Sequence, residues 1–406
     1  MTSSLWVTLF VAVFLVSVAF HLELLFLLDV LLLLVAGASW LWSQNCLVGV
    51  EYRRQLGQRY LSQGEETELS IEIVNRKPLP LPWLRVEDEF PERVGLLTGK
   101  LHPHYQPLKA TLIQVLTLRW YERVRRHYRI CGSRRGLFEF GPATVYSGDL
   151  FGFARQEMRF KPVDLLFVYP KVVPITHFGL PAQHPFGDFK ASRRVLEDPL
   201  RFMSVRDYAP GDAFRHIHWK ATARTGHLQT RVYEPTTTRQ FVLFVDVQTL
   251  EHSYQGVVPE YLELAASAAA SIASYALDAG FQVGLFANSS IRFSQSLVHV
   301  PPSSEPAQLT RLLEALAQVT YLSVRPIEDI LEAQTRHLAF GATVVVISAL
   351  QTESVLTAVL DVKASGYAVT LLTIGDERLE PIVPGVPVYP IGGRKEWYQL
   401  ESLDLA

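Results

Sequence analysis

The densest run of chemically capable side chains lies between Arg206 and Glu234, RDYAPGDAFRHIHWKATARTGHLQTRVYE. Asp212, His216 and His218 are the groups that acid–base chemistry would use, because an imidazole near a carboxylate can take and return a proton. No Ser or Cys nucleophile and no oxyanion loop can be named beside them, so an enzyme centred on this trio has no defined reaction. A metal is the second option for an H-x-H pair. Residues two apart on a helix point about 200° from one another, so His216 and His218 could share an ion only on a strand. No third ligand stands at a recognisable spacing. The third option is charge. Arg206, Arg215, Lys220, Arg224 and Arg231 lie in the run, with Lys190, Arg193 and Arg194 upstream. Either Asp207, Asp212 and Glu234 pair with some of them and fix the geometry of the stretch, or the cations form a docking face for an acidic partner. Nucleic acid fits less well, since neither a series of stacking aromatics nor a glycine-rich phosphate loop accompanies the charges.

The local pattern predicts the elements that carry these groups. Pro210-Gly211 makes a turn, and Asp212 stands where an N-cap would accept from free amides. Ala213 to Arg224 contains no Gly or Pro and fits a helix with Phe214, Ile217 and Ala221 on one face. On that helix Arg215 and Trp219 are four apart and can stack. Thr225-Gly226 ends it. Leu228 to Tyr233 then alternates as a strand.

Gly211-Asp212, Arg215, Ile217-His218-Trp219-Lys220, an Ala-Arg pair and a strand ending in Glu234 together resemble the signature of a bacterial family catalogued as domain of unknown function fifty-eight. The stretch RRGLFEFGPATVYSGDLFGF, further upstream, is similar to that family as well. The resemblance implies two membrane helices, a β domain, the signature and a von Willebrand A-like domain. It implies a working partner too, a MoxR-type ATPase of the AAA+ class, and sometimes transglutaminase-like membrane proteins. The signature residues it marks are Arg206, Tyr208, Gly211, Asp212, Arg215, His218, Trp219, Lys220, Arg224, Arg231 and Glu234.

The chain before and after the signature divides by pattern. Leu5 to Phe20 and Leu24 to Trp42 are apolar runs separated by His21-Leu22-Glu23. A span needs about 20 residues of helix, so residues 1–45 are expected to form a transmembrane hairpin, with Trp6, Trp40 and Trp42 at the interfaces. A signal peptide is the rival, but no Lys or Arg precedes the first run and the apolar stretch is too long. Arg53, Arg54 and Arg59 place the following segment in the cytoplasm, which makes the expected location the inner membrane with cytoplasmic domains. Asp29 is costly within a span; it is expected near the hairpin tip, beside Glu23 and in reach of water.

Residues 51–169 read as an antiparallel β-sandwich-like domain. Strands are expected at Leu69 to Val74, Trp83 to Phe90, Leu112 to Trp120 and Arg125 to Ile130. Arg123, Arg125, Arg126, Arg129, Arg134 and Arg135 are expected on a solvated face, with contact to acidic headgroups as the alternative. Residues 170–239 read as a linker plus the signature, with Pro170 to Arg201 aperiodic. Residues 240–392 alternate continuous apolar strands with helices, the pattern of a doubly wound, mainly parallel α/β domain. Residues 393–406 are expected to be a tail.

A von Willebrand A-like domain often carries magnesium at Asp-x-Ser-x-Ser after its first strand. Here the loop reads Asp246-Val247-Gln248-Thr249-Leu250, and the later loop Ser348-Ala349-Leu350 has no acid before Glu353. Gln248 could offer an oxygen but Leu250 cannot, so the octahedral set is incomplete. Asp246 is expected to cap local amides, and no cofactor is expected. Over 406 residues the net charge is -2, which argues against a general attraction to nucleic acid, and Cys46 and Cys131 have no zinc or disulfide spacing. The reading reached from sequence is a membrane-anchored cytoplasmic interaction protein. Its rival is an enzyme built on Asp212, His216 and His218.

Overall fold

The computed structural model describes residues 13–14, 23–149, 155–178, 197–210, 212–235, 240–251, 256–291, 296–339, 341–376 and 383–405. The chain separates into two compact units, Met1–Tyr169 and Pro170–Ala406.

The first unit opens with helix α1 (Glu23–Asn45). Its stretch Phe26–Asn45 is long and apolar enough to cross a membrane. Leu24, Leu27, Leu28, Leu31 and Leu34 are exposed along it, a surface that suits lipid and not water. The first apolar run lies outside the described residues except for the helical Val13 and Phe14, and the Phe14 ring sits 5.7 Å from that of Phe26. Asp29 does not reach water as expected. It is 2% exposed and neither carboxylate oxygen has a hydrogen-bond partner.

Twelve strands follow: β1 (Val50–Leu56), β2 (Tyr60–Ser62), β3 (Glu66–Asn75), β4 (Leu81–Pro91), β5 (Gly95–Leu96), β6 (Leu101–Pro103), β7 (Lys109–Leu118), β8 (Arg123–Cys131), β9 (Gly136–Phe140), β10 (Ala143–Gly148), β11 (Arg155–Phe160) and β12 (Asp164–Tyr169). They pair as β1-β3-β8-β5, β11-β10-β4-β7-β6 and β2-β12-β9. The β2–β12 pair is parallel, so the unit is not purely antiparallel. Alternation along the strands turns Leu69, Ile71 and Ile73 of β3, Leu84, Val86 and Phe90 of β4, and Leu112, Leu116 and Leu118 of β7 into one core. Trp120, expected inside a strand, instead lies in the turn between β7 and β8. Within the arginine cluster, Arg125 pairs with Glu72 and Arg129 with Glu66 on the exposed face, but Arg135 is buried. Arg54 is not a surface charge either. Its Nη1 meets Asp88 Oδ1 at 2.6 Å and its Nε meets Asp164 Oδ2 at 2.9 Å, while Tyr52 Oη donates to Asp88 Oδ2 at 2.6 Å.

The second unit contains β13 (Ile175–Phe178), β14 (Glu197–Asp207), α2 (Trp219–Thr225), β15 (Gln229–Pro235), β16 (Gln240–Val245), α3 (Pro259–Asp278), β17 (Gln282–Ser290), β18 (Leu297–Ser303), α4 (Gln308–Gln318), α5 (Ile327–Thr335), β19 (Thr343–Ser348), α6 (Glu353–Ala364), β20 (Ala368–Thr373), β21 (Val388–Pro390), α7 (Arg394–Tyr398) and β22 (Leu403–Leu405). A six-stranded sheet runs β18-β17-β16-β19-β20-β21, parallel except for β18. Every residue of Phe241–Val245 is fully buried because both faces are covered. Phe241, Leu243 and Val245 pack with Leu262, Ile272 and Ala276 of α3 and Leu312 and Leu316 of α4. Val242 and Phe244 face the other way, onto Ile330 and Leu331 of α5 and Val355 and Val359 of α6. Helices on both faces make the sheet doubly wound.

Two stretches read as irregular from sequence contain regular elements among the described residues. Pro170 to Arg201, expected as a linker, contains β13 and the start of β14. Residues 393–406, expected as a tail, contain α7 and β22. β13 and β22 pair in parallel, Leu403 N–H donates to Pro174 O at 3.0 Å, and Leu403 and Leu405 are buried. The two ends of the second unit are thereby clasped to each other.

Candidate functional site

The signature stretch builds a two-stranded arm. β14 and β15 pair antiparallel, with Arg206 opposite Thr230 and Asp207 opposite Gln229. Residues 213–224 are not one helix. A 3-10 turn spans Phe214–His216, and the chain is extended at Ile217 (ψ 129°), which pairs with Thr230 in an isolated antiparallel bridge. His218 N–H donates to Gln229 O at 2.8 Å, and α2 starts only at Trp219. Ile217 is buried, so packing this side chain on the arm takes precedence over continuing the helix.

The caps change accordingly. His218, not Asp212, is the N-cap: its Nδ1 accepts from Ala221 N–H at 3.0 Å. Asp212 closes the loop before the 3-10 turn. Its Oδ1 takes Arg206 Nη2 at 2.7 Å and its Oδ2 takes Ala209 N–H at 3.0 Å. The Arg206 guanidinium and the Ala209 amide hold the Asp212 carboxyl below the usual carboxylate range. Gly226 ends α2 in the left-handed region, φ 75°, as the Thr225-Gly226 pair predicts. Arg215 does not stack on Trp219. Its Nε donates to His216 Nε2 at 3.1 Å, and the chain break at Ile217 puts the two residues in different elements.

Gln229 and Thr222 were not singled out from sequence, yet they hold the arm together. Thr222 Oγ1 accepts from Gln229 N–H at 3.0 Å, and Gln229 Nε2 donates to Asp207 Oδ1. Both interactions join residues separated along the chain, and only the strand register reveals them.

The exposed side chains of the arm lie outside this framework. Phe214 is 72% exposed and Trp219 67%, and Arg215, Lys220, Arg224 and Arg231 are exposed too. Tyr208 is half-buried and stacks on Phe214 with ring centroids 5.8 Å apart and an interplanar angle of 26°. Gly211, Lys190, Arg193 and Arg194 lie outside the described residues, as does the side chain of Glu234.

A second place stands where sheets of this winding commonly bind ligands. In an open α/β sheet, ligands bind beyond the carboxyl ends of the strands where the winding reverses. Here that point is between β16 and β19, and Asp246 and Ser348 stand there. Asp246 is buried and fully engaged. Its Oδ2 accepts from Ser348 Oγ at 2.7 Å, while its Oδ1 accepts from Asn288 Nδ2 at 2.7 Å and from Gln248 N–H at 3.0 Å. The last bond is the amide capping expected of it. Burial raises the Asp246 carboxyl above its ordinary value, and the three donors offset part of that rise. The Gln248 side-chain amide nitrogen donates to Glu251 O at 3.2 Å. Among the described residues no group of three or more His, Cys, Asp or Glu could hold a metal.

Comparison with known proteins then locates both places within one family match. The family described as "Protein of unknown function DUF58" matches residues 204–391. That range begins within β14 and ends just after β21, so it takes in the arm and the sheet. The uncharacterized protein YeaD of Bacillus subtilis is 26% identical over 195 residues, which cover 48% of this chain and 46% of the relative. The chain thus matches about half the length of that curated relative. Solved structures give weaker likenesses. A cohesin module from a Clostridium perfringens family 33 glycoside hydrolase is 11% identical, over 29% of this chain and 96% of that one, at a TM-score of 0.21. The full-length major pilin SpaD of Corynebacterium diphtheriae is 12% identical, over 33% of this chain and 38% of that one, at 0.25. At these scores neither bears on fold or function.

Proposed function

We propose that this chain is a membrane-anchored interaction protein. In this reading α1 and the apolar run before it hold the chain in the plasma membrane, the strands of the first unit and the whole second unit lie in the cytoplasm, and the arm docks onto an acidic partner. A MoxR-type AAA+ ATPase is the expected partner. The six-stranded sheet is read as von Willebrand A-like because the first of its strands along the chain, β16, is central and its antiparallel strand, β18, is at an edge. A signal sequence would match α1 in length and composition, so retention of the first 45 residues belongs to the proposal.

One observation carries the docking reading. The arm's polar framework is closed on itself, while its aromatics and cations point outward. Asp212 holds Arg206 and Ala209, and His218 caps α2. Trp219, Phe214, Arg215, Lys220 and Arg224 are left on the surface. Exposed Trp and Arg are what binding hot spots are made of. An enzyme using Asp212 or His218 as a base would have to break a bond that shapes the arm.

The test is co-purification from native membranes with wild type, Lys220→Glu and Arg224→Glu. Surface pairs contribute only about 0–1 kcal/mol, so both reversals should leave the melting temperature nearly unchanged. Both should lose the partner, and wild-type capture should weaken with salt. Full capture by both variants, or unfolding of both, overturns the docking reading.

A further inference from the structure

The turn joining β7 to β8 displays two large aromatic side chains. Trp120 is 67% exposed and Tyr121 is 68% exposed. Tyr121 has φ 55°, the left-handed region that bulky side chains avoid. The turn is nevertheless held firmly. Buried Asn75 donates its N–H to Glu122 O at 2.9 Å, and its Nδ2 to Arg119 O and Leu79 O, both at 2.9 Å. Arg119 N–H donates to Glu122 Oε2 at 2.6 Å, and Tyr121 N–H to Lys77 O at 3.2 Å. An indole and a phenol are thus fixed outward while the same unit buries Phe90 and Phe140.

The cradle of that turn also holds the end of the apolar helix. Lys77 Nζ donates to Val48 O at 2.7 Å and to Cys46 O, and Arg76 N–H donates to Gly49 O at 2.9 Å. Cys46 follows directly on Asn45, the last residue of α1. A single residue, Lys77, therefore bonds both to the display turn and to the chain just past the end of α1. Val48, Arg119 and Arg123 are exposed, Arg123 with its Nε 3.5 Å from Glu72 Oε1.

We infer that Trp120 and Tyr121 sit in the headgroup layer of the bilayer that α1 crosses, and that Arg119 and Arg123 meet anionic phospholipid beside them. The inference rests on the membrane-anchor reading above. Indole and phenol favour this layer because the ring body is apolar and its edge is wet. Lys and Arg close to the surface gain from anionic lipid. Lys77 already ties the end of α1 to the β-rich unit, and a contact at this turn gives that unit a second hold on the membrane beside the helix.

The experiment uses the full chain reconstituted in vesicles of phosphatidylcholine and phosphatidylglycerol. Trp120 emission is read as the difference between wild type and Trp120→Phe, with melting curves confirming that the variant folds. The expected emission is blue-shifted, quenched by lipids brominated near the glycerol end and insensitive to aqueous iodide. Quenching by iodide and not by bromolipid overturns the inference, because the ring is then in water. Quenching by neither also overturns it, because the ring is then covered by protein, a second copy included. An alkaline carbonate wash separates the two layers of the claim. If the chain leaves the membrane, the anchor reading falls and takes the inference with it. If the chain stays and Trp120 is quenched by iodide, only the inference falls.

Discussion

Asp88 in the first unit and Asp246 in the second are both buried carboxylates, and the two units accommodate them by different means. Asp88 faces a guanidinium, Arg54, which a second carboxylate, Asp164, also grips. Asp246 faces only neutral donors: a hydroxyl, an amide side chain and a backbone N–H. In the first case a charge offsets a charge, and the cost of removing either is high. In the second the hydrogen bonds tolerate a neutral replacement, because none of them needs the negative charge. The first arrangement ties strands together. The second stands at a point where ligands bind in sheets of this winding, and it fills that point with protein groups.

The comparison can be broken most directly at Arg54. Arg54→Leu leaves Asp88 buried without its countercharge and should cost about 3–5 kcal/mol, read by denaturant unfolding of the detergent-solubilised chain. A loss below about 1 kcal/mol, the range of exposed pairs, would mean that the network is not a buried ion pair in solution.

At Asp246 the two neighbouring substitutions should diverge. Asp246→Ala strands the Asn288, Ser348 and Gln248 donors and should cost about 1–3 kcal/mol. Asp246→Asn keeps an acceptor for Asn288 and Gln248, and Ser348 can turn its hydroxyl to Leu350 O, already 3.2 Å away. Its cost should stay near the lower end of about 0.5–1.5 kcal/mol. Equal costs for the two substitutions would show that the carboxylate's charge matters here.

The pH dependence sharpens the same point. The folded-state value for Asp246 is raised by burial. Its favourable contribution is therefore fully present below the unfolded value and is lost as pH rises through the raised folded value. The stability of the second unit in wild type relative to Asp246→Asn should decline across that acidic window, as the difference in hydrogen exchange of the β16 amides would record. The opposite slope would mean that the donors outweigh the burial.

The smallest effect is expected at Trp219. A buried Trp would cost about 3–5 kcal/mol on truncation, but this one is exposed, and surface changes usually stay within about 0.5 kcal/mol. Trp219→Ala should thus melt like wild type yet lose partner capture. A large drop in melting temperature would place the ring in a contact that the arm's geometry does not include.

The sheet was legible from sequence because fully buried parallel strands must be continuously apolar, as Phe241–Val245 is. β18 was not legible. Its Pro301 and Pro302 read against a strand, and they are tolerated because β18 is an edge. Its neighbour adapts to them: a Cβ on Gly284 would come within 2.8 Å of Pro302 Cγ. The signature helix was half legible. Gly226 marks its end by a local rule, but the break at Ile217 comes from pairing with Thr230, which no local pattern announces. The same holds at Asp246, whose partners Asn288 and Ser348 lie 42 and 102 residues away. Sequence named the carboxylate and could not name what satisfies it. Asp29 shows the opposite failure, since its spacing suggested an outlet to water that the fold closes.

The clasp between β13 and β22 has a mechanical side. The strands run in the same direction, so tension between the chain entering at Pro170 and the chain end pulls them along their length in opposite senses. Their bonds then carry load together in shear instead of opening one after another like a zip. Tension applied to the chain beyond Leu405 would meet this lock before it reached the sheet.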